Sequence, residues 1–164
     1  MIGRTQFAGV MLLFSLALHG QQPTRKLLKL EAKFQDQKGA VKRAKTLAKL
    51  LPEEVRVAAE EIQEGEFDQG VARLEHWSAE AQQAHDALIA TGRNAVKKPD
   101  GFTELQVALR ESLRGLRNIV FYLPLGRRHS AETVQAHLSR INSQLLQELF
   151  PPPPASPPQK GKPK

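Results

Sequence analysis

The chain of 164 residues contains no cysteine. That excludes a disulfide framework, a thiolate metal site, a cysteine nucleophile and a lipidated N-terminal cysteine. Aromatic residues are scarce, with one Trp, one Tyr and seven Phe. Phosphate-cradling, nucleophile-elbow and zinc-protease signatures (GxGxxG, GxSxG, HExxH and the P-loop) are absent as well, which removes the common nucleotide-binding and hydrolytic chemistries. No stretch alternates apolar and polar residues over strand length, and no apolar run reaches the roughly 20 residues that a spanning helix needs. At 40% hydrophobic and 25% charged residues, the chain is too apolar to be wholly disordered and too polar for a multi-span membrane protein.

The first 20 residues differ from the rest. Arg4 is their only charged residue, and Phe7 to Leu18 are all apolar or small. A charged start, an apolar run and small residues at Ser15, Ala17 and Gly20 follow the order of a secretory signal peptide. Cleavage after Gly20, or after Ala17, would export the remainder to the periplasm or the extracellular space. The competing reading is a buried N-terminal core helix. From Gln21 onward the chain keeps 23 basic residues against 17 acids, a net charge of +6. An exported protein of that charge meets envelope phosphates, anionic lipids and acidic polysaccharides first.

Beyond Thr24 apolar residues recur at steps of three and four, the period of an amphipathic helix. One seam runs through Leu27, Leu30, Phe34, Val41, Ala44, Ala48, Leu51, Val55, Ala58 and Ile62. Gln37-Lys38-Gly39 predicts a break after a short first helix over about 24–37. Pro52 predicts a kink within the next helix, about 40–64, because the apolar phase continues across it. The alternative is that Pro52 opens a separate helix. Gly65 suits a helix end. The next seam, Phe67, Val71, Leu74, Ser78, Ala81, His85 and Leu88, stops at Gly92, and 94–99 reads as a loop. Asp100 suits the cap of a helix that carries Leu105, Leu109, Ser112, Leu116, Ile119 and Leu123 and is stopped by Pro124. Ser130 suits the cap of a last helix carrying Val134, Leu138, Ile141, Leu145 and Leu149. The fold class is therefore all-α: an antiparallel bundle of about four long helices plus a short N-terminal one, in a single domain over 24–150. Residues 151–164 hold seven of the 11 prolines together with Lys160, Lys162 and Lys164. They read as a polyproline or disordered tail.

Glu64-Gly65-Glu66-Phe67-Asp68-Gln69-Gly70-Val71 resembles the turn between the two helices of a tetratricopeptide repeat. Gly65, Phe67, Gly70, Leu74 and Ala58 match that pattern in kind, whereas Trp77 stands where the family has a small residue and Gln82 where it has proline. The resemblance covers one repeat, with no second copy at the family's period. It implies a repeat-like hairpin and no array. As a whole the chain resembles small exported bacterial helical proteins, and that resemblance implies no activity and no site residues.

Functional expectations rest on charge. Residues 25–49 hold nine basic side chains against Glu31 and Asp36, and residues 53–68 hold seven acids against Arg56. This segregation reads as two solvated faces of opposite sign, as a first segment folded back on the acidic region, or as an external basic binding surface. The candidate interaction surface is Arg25, Lys26, Lys29 and Lys33, with a second stripe at Arg110, Arg114 and Arg117; Trp77 reads first as a filler of a helix junction and as a partner anchor only if it is exposed. No aromatics are interleaved with the arginine stripe, which argues against a nucleic-acid partner. His76 and Glu80 at i, i+4 could hold one side of a metal, and His85 could join them only by leaving its seam. Glu53-Glu54 and Glu60-Glu61 are expected to be solvated, with nothing to raise a pKa. Together these features predict a non-catalytic binding or scaffolding protein of the envelope that uses no cofactor. Its partner would be another envelope protein or an anionic envelope surface, and the rival is a metal-dependent enzyme.

Overall fold

The computed structural model describes residues 25–152. Residues 1–20, expected from the sequence to be an export segment, and all of the proline-rich tail beyond Pro152, lie outside those residues. Five helices follow in order: α1 (Arg25–Asp36), α2 (Ala40–Gln63), α3 (Phe67–Ala90), α4 (Phe102–Tyr122) and α5 (Leu125–Leu149). None of them is long and apolar enough to cross a membrane.

Helix α2 is the hub, packing against α1, α3 and α4. It runs unbroken through Pro52, so Pro52 does not open a separate helix. Its buried side chains include Ala44, Leu47, Leu51, Val55, Ala58 and Ile62, recurring at three and four. The helix ends in a Schellman motif. Gly65 takes φ 90°, which a residue with a Cβ rarely adopts. Its N–H reaches the Ile62 carbonyl at 3.2 Å, and the Glu66 N–H reaches that of Glu61 at 2.8 Å. The chain then doubles back into α3, which crosses α2 very closely. A Cβ on Gly70 would stand 2.6 Å from Ile62 Cγ1 and 2.8 Å from the Ala58 carbonyl oxygen.

Helices α4 and α5 form a second hairpin, joined by only Leu123 and Pro124. Ser130 therefore lies inside α5 and does not cap it. The reason is tertiary anchoring of the first turn. Arg127 grips both carboxylate oxygens of Asp68, at 2.7 and 2.9 Å, and Arg128 Nε donates to the Leu123 carbonyl at 3.0 Å. These bonds hold 125–130 in the helix despite Gly126. Asp100 is likewise not the cap of α4. Gly101 occupies that position, its N–H donating to Glu104 Oε2 at 2.7 Å, while Asp100 is drawn away to Lys45 at 2.6 Å.

The two hairpins lie side by side in the same orientation. Lys45, near the start of α2, reaches Glu104, near the start of α4. Asp68 and Arg127 pair the starts of α3 and α5, and His85 and Glu148 pair their ends. Partners within each hairpin are thus antiparallel, while α2 with α4 and α3 with α5 run parallel. Leu105, Leu109, Leu116, Leu138, Ile141 and Leu145 fill the space between, each at or near complete burial.

Truncating Leu116 or Ile141 to Ala should cost about 2–5 kcal/mol, since each leaves a cavity in this packed centre; urea unfolding reads the loss. Pro52→Ala should be neutral or stabilising by up to about 1 kcal/mol, because it restores a backbone bond inside an intact helix. Chemical denaturation showing strong destabilisation would mean that the proline ring is needed in the α2–α4 groove that it lines.

Candidate functional site

The predicted basic face is present on α1. Leu27 and Phe34 are buried, and Arg25, Lys26, Lys29 and Lys33 are exposed. Across the α1–α2 junction, Lys33, Lys42, Lys45 and Lys49 line one groove with Gln37, Thr46 and Leu30, and no carboxylate lines it. Lys45 is committed to Asp100 at 2.6 Å and Glu104 at 3.0 Å. Those two carboxylates hold its ammonium above the usual lysine range. Arg110, Arg114 and Arg117 are exposed on α4. Because α1 and α4 both pack on α2 and do not meet each other, the structure does not merge the two basic stripes into one cluster.

Trp77 is not an exposed anchor. It is 5% exposed, with its ring 5.8 Å from that of Phe34 and 5.0 Å from that of His76. It pins α1 to α3. Above Phe34, the Arg43 guanidinium stands 4.2 Å from the ring centroid and pairs with Glu80 at 2.7 Å. Glu80 is thereby engaged away from His76. His85 points to α5, where its Nε2 lies 3.1 Å from Glu148. The three residues weighed as a metal set do not converge, and among the described residues no group of three or more His, Asp or Glu side chains could hold a metal ion.

The acidic stretch holds the largest departure from expectation. Glu54 is completely buried and Glu61 nearly so. Both face Arg73 from α3, whose Nη1 donates to Glu54 Oε2 at 2.8 Å while Nε and Nη2 donate to Glu61. Gln69 adds a bond to Glu61 at 3.0 Å. Burial pushes the Glu54 carboxyl up to about 7; contact with Glu31 on α1 adds to the rise and Arg73 opposes it. The hydrogen bonds to Glu61 lead in raising the already high pKa of Arg73, so the guanidinium stays charged. The sequence places acids four and seven residues apart on α2 but does not reveal that a single arginine on the next helix draws two of them inward. A signal was available in the phase: Glu54 and Glu61 are one heptad apart and lie within one residue of the buried Val55 and Ile62.

Between α3 and α5, Ser78 Oγ lies 2.9 Å from His137 Nδ1, and His137 Nε2 lies 3.1 Å from Gln82 Oε1. The order of groups is that of a nucleophile, a base and an orienting residue. Ser78 is only 2% exposed, beneath packed helices, so no substrate can reach its oxygen. The contact instead fastens two helices. Burial, and secondarily Arg140, hold the His137 ring below the ordinary histidine pKa. Elsewhere the molecule exposes an apolar trio at the α4–α5 turn: Phe121, Tyr122 and Leu125. No family model, no curated protein and no solved structure matches the chain.

Replacing Arg73 by Met would strand two buried carboxylates without their counter-charge. At pH 8 the loss should be about 3–5 kcal/mol. It should shrink at pH 5.5, where Glu54 carries a proton; paired urea titrations at the two pH values measure the difference.

Proposed function

We propose that this is a non-catalytic exported protein that docks peripherally on an anionic envelope membrane through the basic face of α1 and the adjoining α1–α2 groove. The observation that carries this reading is a groove walled by Lys33, Lys42, Lys45 and Lys49 with no acid in its lining. It is continued by the exposed Arg25, Lys26 and Lys29. Lysines gathered on one face attract anionic headgroups at about 1 kcal/mol per residue near the surface. The export segment read from residues 1–20 would deliver the protein to such a membrane. Catalysis finds little support in the site, since among the described residues the serine–histidine contact at Ser78 is sealed and the buried carboxylates are tied to Arg73.

A second reading is a scaffold for another envelope protein. It is favoured by the exposed ring of Phe121, 78% accessible, beside Tyr122 and Leu125. The tetratricopeptide-like sequence of the α2–α3 turn, together with two helical hairpins stacked in one orientation, supports it too.

Sedimentation with vesicles tests the first reading. The full chain without its export segment should bind vesicles containing phosphatidylglycerol, should ignore phosphatidylcholine, and should be released by high salt. Reversing Lys26, Lys29 and Lys33 to Glu should weaken binding at least about 100-fold. Equal binding to both vesicle types, or none to either, overturns it.

A further inference from the structure

Helix α1 is short, with 12 residues, and too short to hold its shape alone in water. Leu27, Phe34 and the half-buried Leu30 hold it to the bundle. Its inner edge also carries Glu31 onto the network around Arg73. Glu31 lines the same groove as Arg73, so one cation faces three carboxylates: Glu31 from α1, with Glu54 and Glu61 from α2. Every donor that Arg73 offers it goes to Glu54 Oε2 or to Glu61. Glu54 Oε1, sealed from solvent, is left with no hydrogen-bond donor. A buried acceptor without a donor is costly, and two carboxylates in contact are more so. Both costs vanish if Glu31 and Glu54 share a proton, since the neutral carboxyl then donates to the charged one.

We propose that α1 is a proton-held strap: a proton shared by Glu31 and Glu54 closes it over the α2–α3 groove, and loss of that proton releases it. Release would uncover Phe34 and Trp77 and free an amphipathic helix whose polar face is basic. The device stands apart from membrane docking, since it needs no lipid to operate.

The direction follows from linkage. With α1 in place, Glu54 is a carboxyl that titrates near 7. Without α1, water and Arg73 return it to the ordinary carboxylate range or below. The docked form therefore holds a proton that the released form lacks between about pH 4.5 and 7. Docking weakens up to about tenfold per pH unit across that window and is constant above it. The charged groups facing Glu54 are Glu31 from α1 and Arg73 from α3, with Glu61 of its own helix acting through Arg73. Helix α4 meets the other side of α2, where Glu53, Arg56 and Glu111 line a separate groove. His76 borders the α1–α3 groove and packs edge-on against Trp77, so a variant that removes its ring serves as a control.

Trp77 is the sole tryptophan of the chain and lies beneath Phe34 of the strap, which makes it a reporter. The experiment follows Trp77 emission and the exchange of α1 amides from pH 5 to pH 8, corrected for intrinsic exchange, with α3 and α5 amides as reference. The wild-type chain should show a red shift and lose at least about tenfold of α1 protection as pH rises. Glu54→Gln should abolish both changes and keep α1 docked at pH 8, because its amide carbonyl accepts from Arg73 while its NH2 donates to Glu31. Glu31→Gln should do the same from the other side, and it decides the matter if Glu54→Gln fails to fold. His76→Gln should leave the loss of α1 protection intact. Protection of α1 that ignores pH in the wild type, or a pH response that survives in the Gln variants, overturns the proposal.

Discussion

Arg73 has to remain charged, and much of the molecule is arranged around that requirement. Its guanidinium lies between Glu54 and Glu61, on the helix that contacts α1, α3 and α4. A partly buried cation held between two buried anions gains little over an apolar core of equal volume, but removing one partner is severe. The network therefore fixes arrangement more than it adds stability. It sets which face of α3 meets α2, and it leaves one carboxyl oxygen on α2 in need of a proton from α1. Gly70 acts in the same interface by a different means. It lets the α3 backbone approach so closely that a methyl group would collide with Ile62 and the Ala58 carbonyl.

The helices were legible because their apolar period is strong and their ends carry chemical marks. Gly39, Gly65 and Gly92 each fall at a boundary expected from the sequence, and the phase across Pro52 indicates one helix where a rule based on proline alone would indicate two. The ends that were misplaced share a cause. Asp100 and Ser130 are good caps judged locally, but Lys45 takes the first, and α5, with Arg127 of its first turn gripping Asp68, is capped at Pro124, ahead of Ser130. Both are contacts over more than 50 residues of sequence, invisible to a reading made one turn at a time.

The candidate surface was legible in part for a similar reason. Lysines on the outer face of α1 need only a helix and its apolar side to be placed outside. Trp77, Glu54 and Glu61 depend on which neighbour covers them, and α1, whose short seam gave no indication of where it docks, covers the first two. Burial of Trp77 bears out its reading as a filler between helices and removes it from the candidate interaction surface. Burial of Glu54 turns an ordinary surface acid into a titratable group that senses whether α1 is present.

The α3–α5 interface has a consequence of another kind. A slide of α5 by one helical turn would displace it by about 5.4 Å. Polar contacts at three levels oppose that: Asp68 with Arg127 at one end, Ser78 and Gln82 with His137 midway, and His85 with Glu148 at the other. They work like the pins of a lock, each set at its own height, and only one axial position of the two parallel helices closes all three. Helices that run parallel have no tight turn between them to set their offset, so here the side chains must do what a loop does for a hairpin.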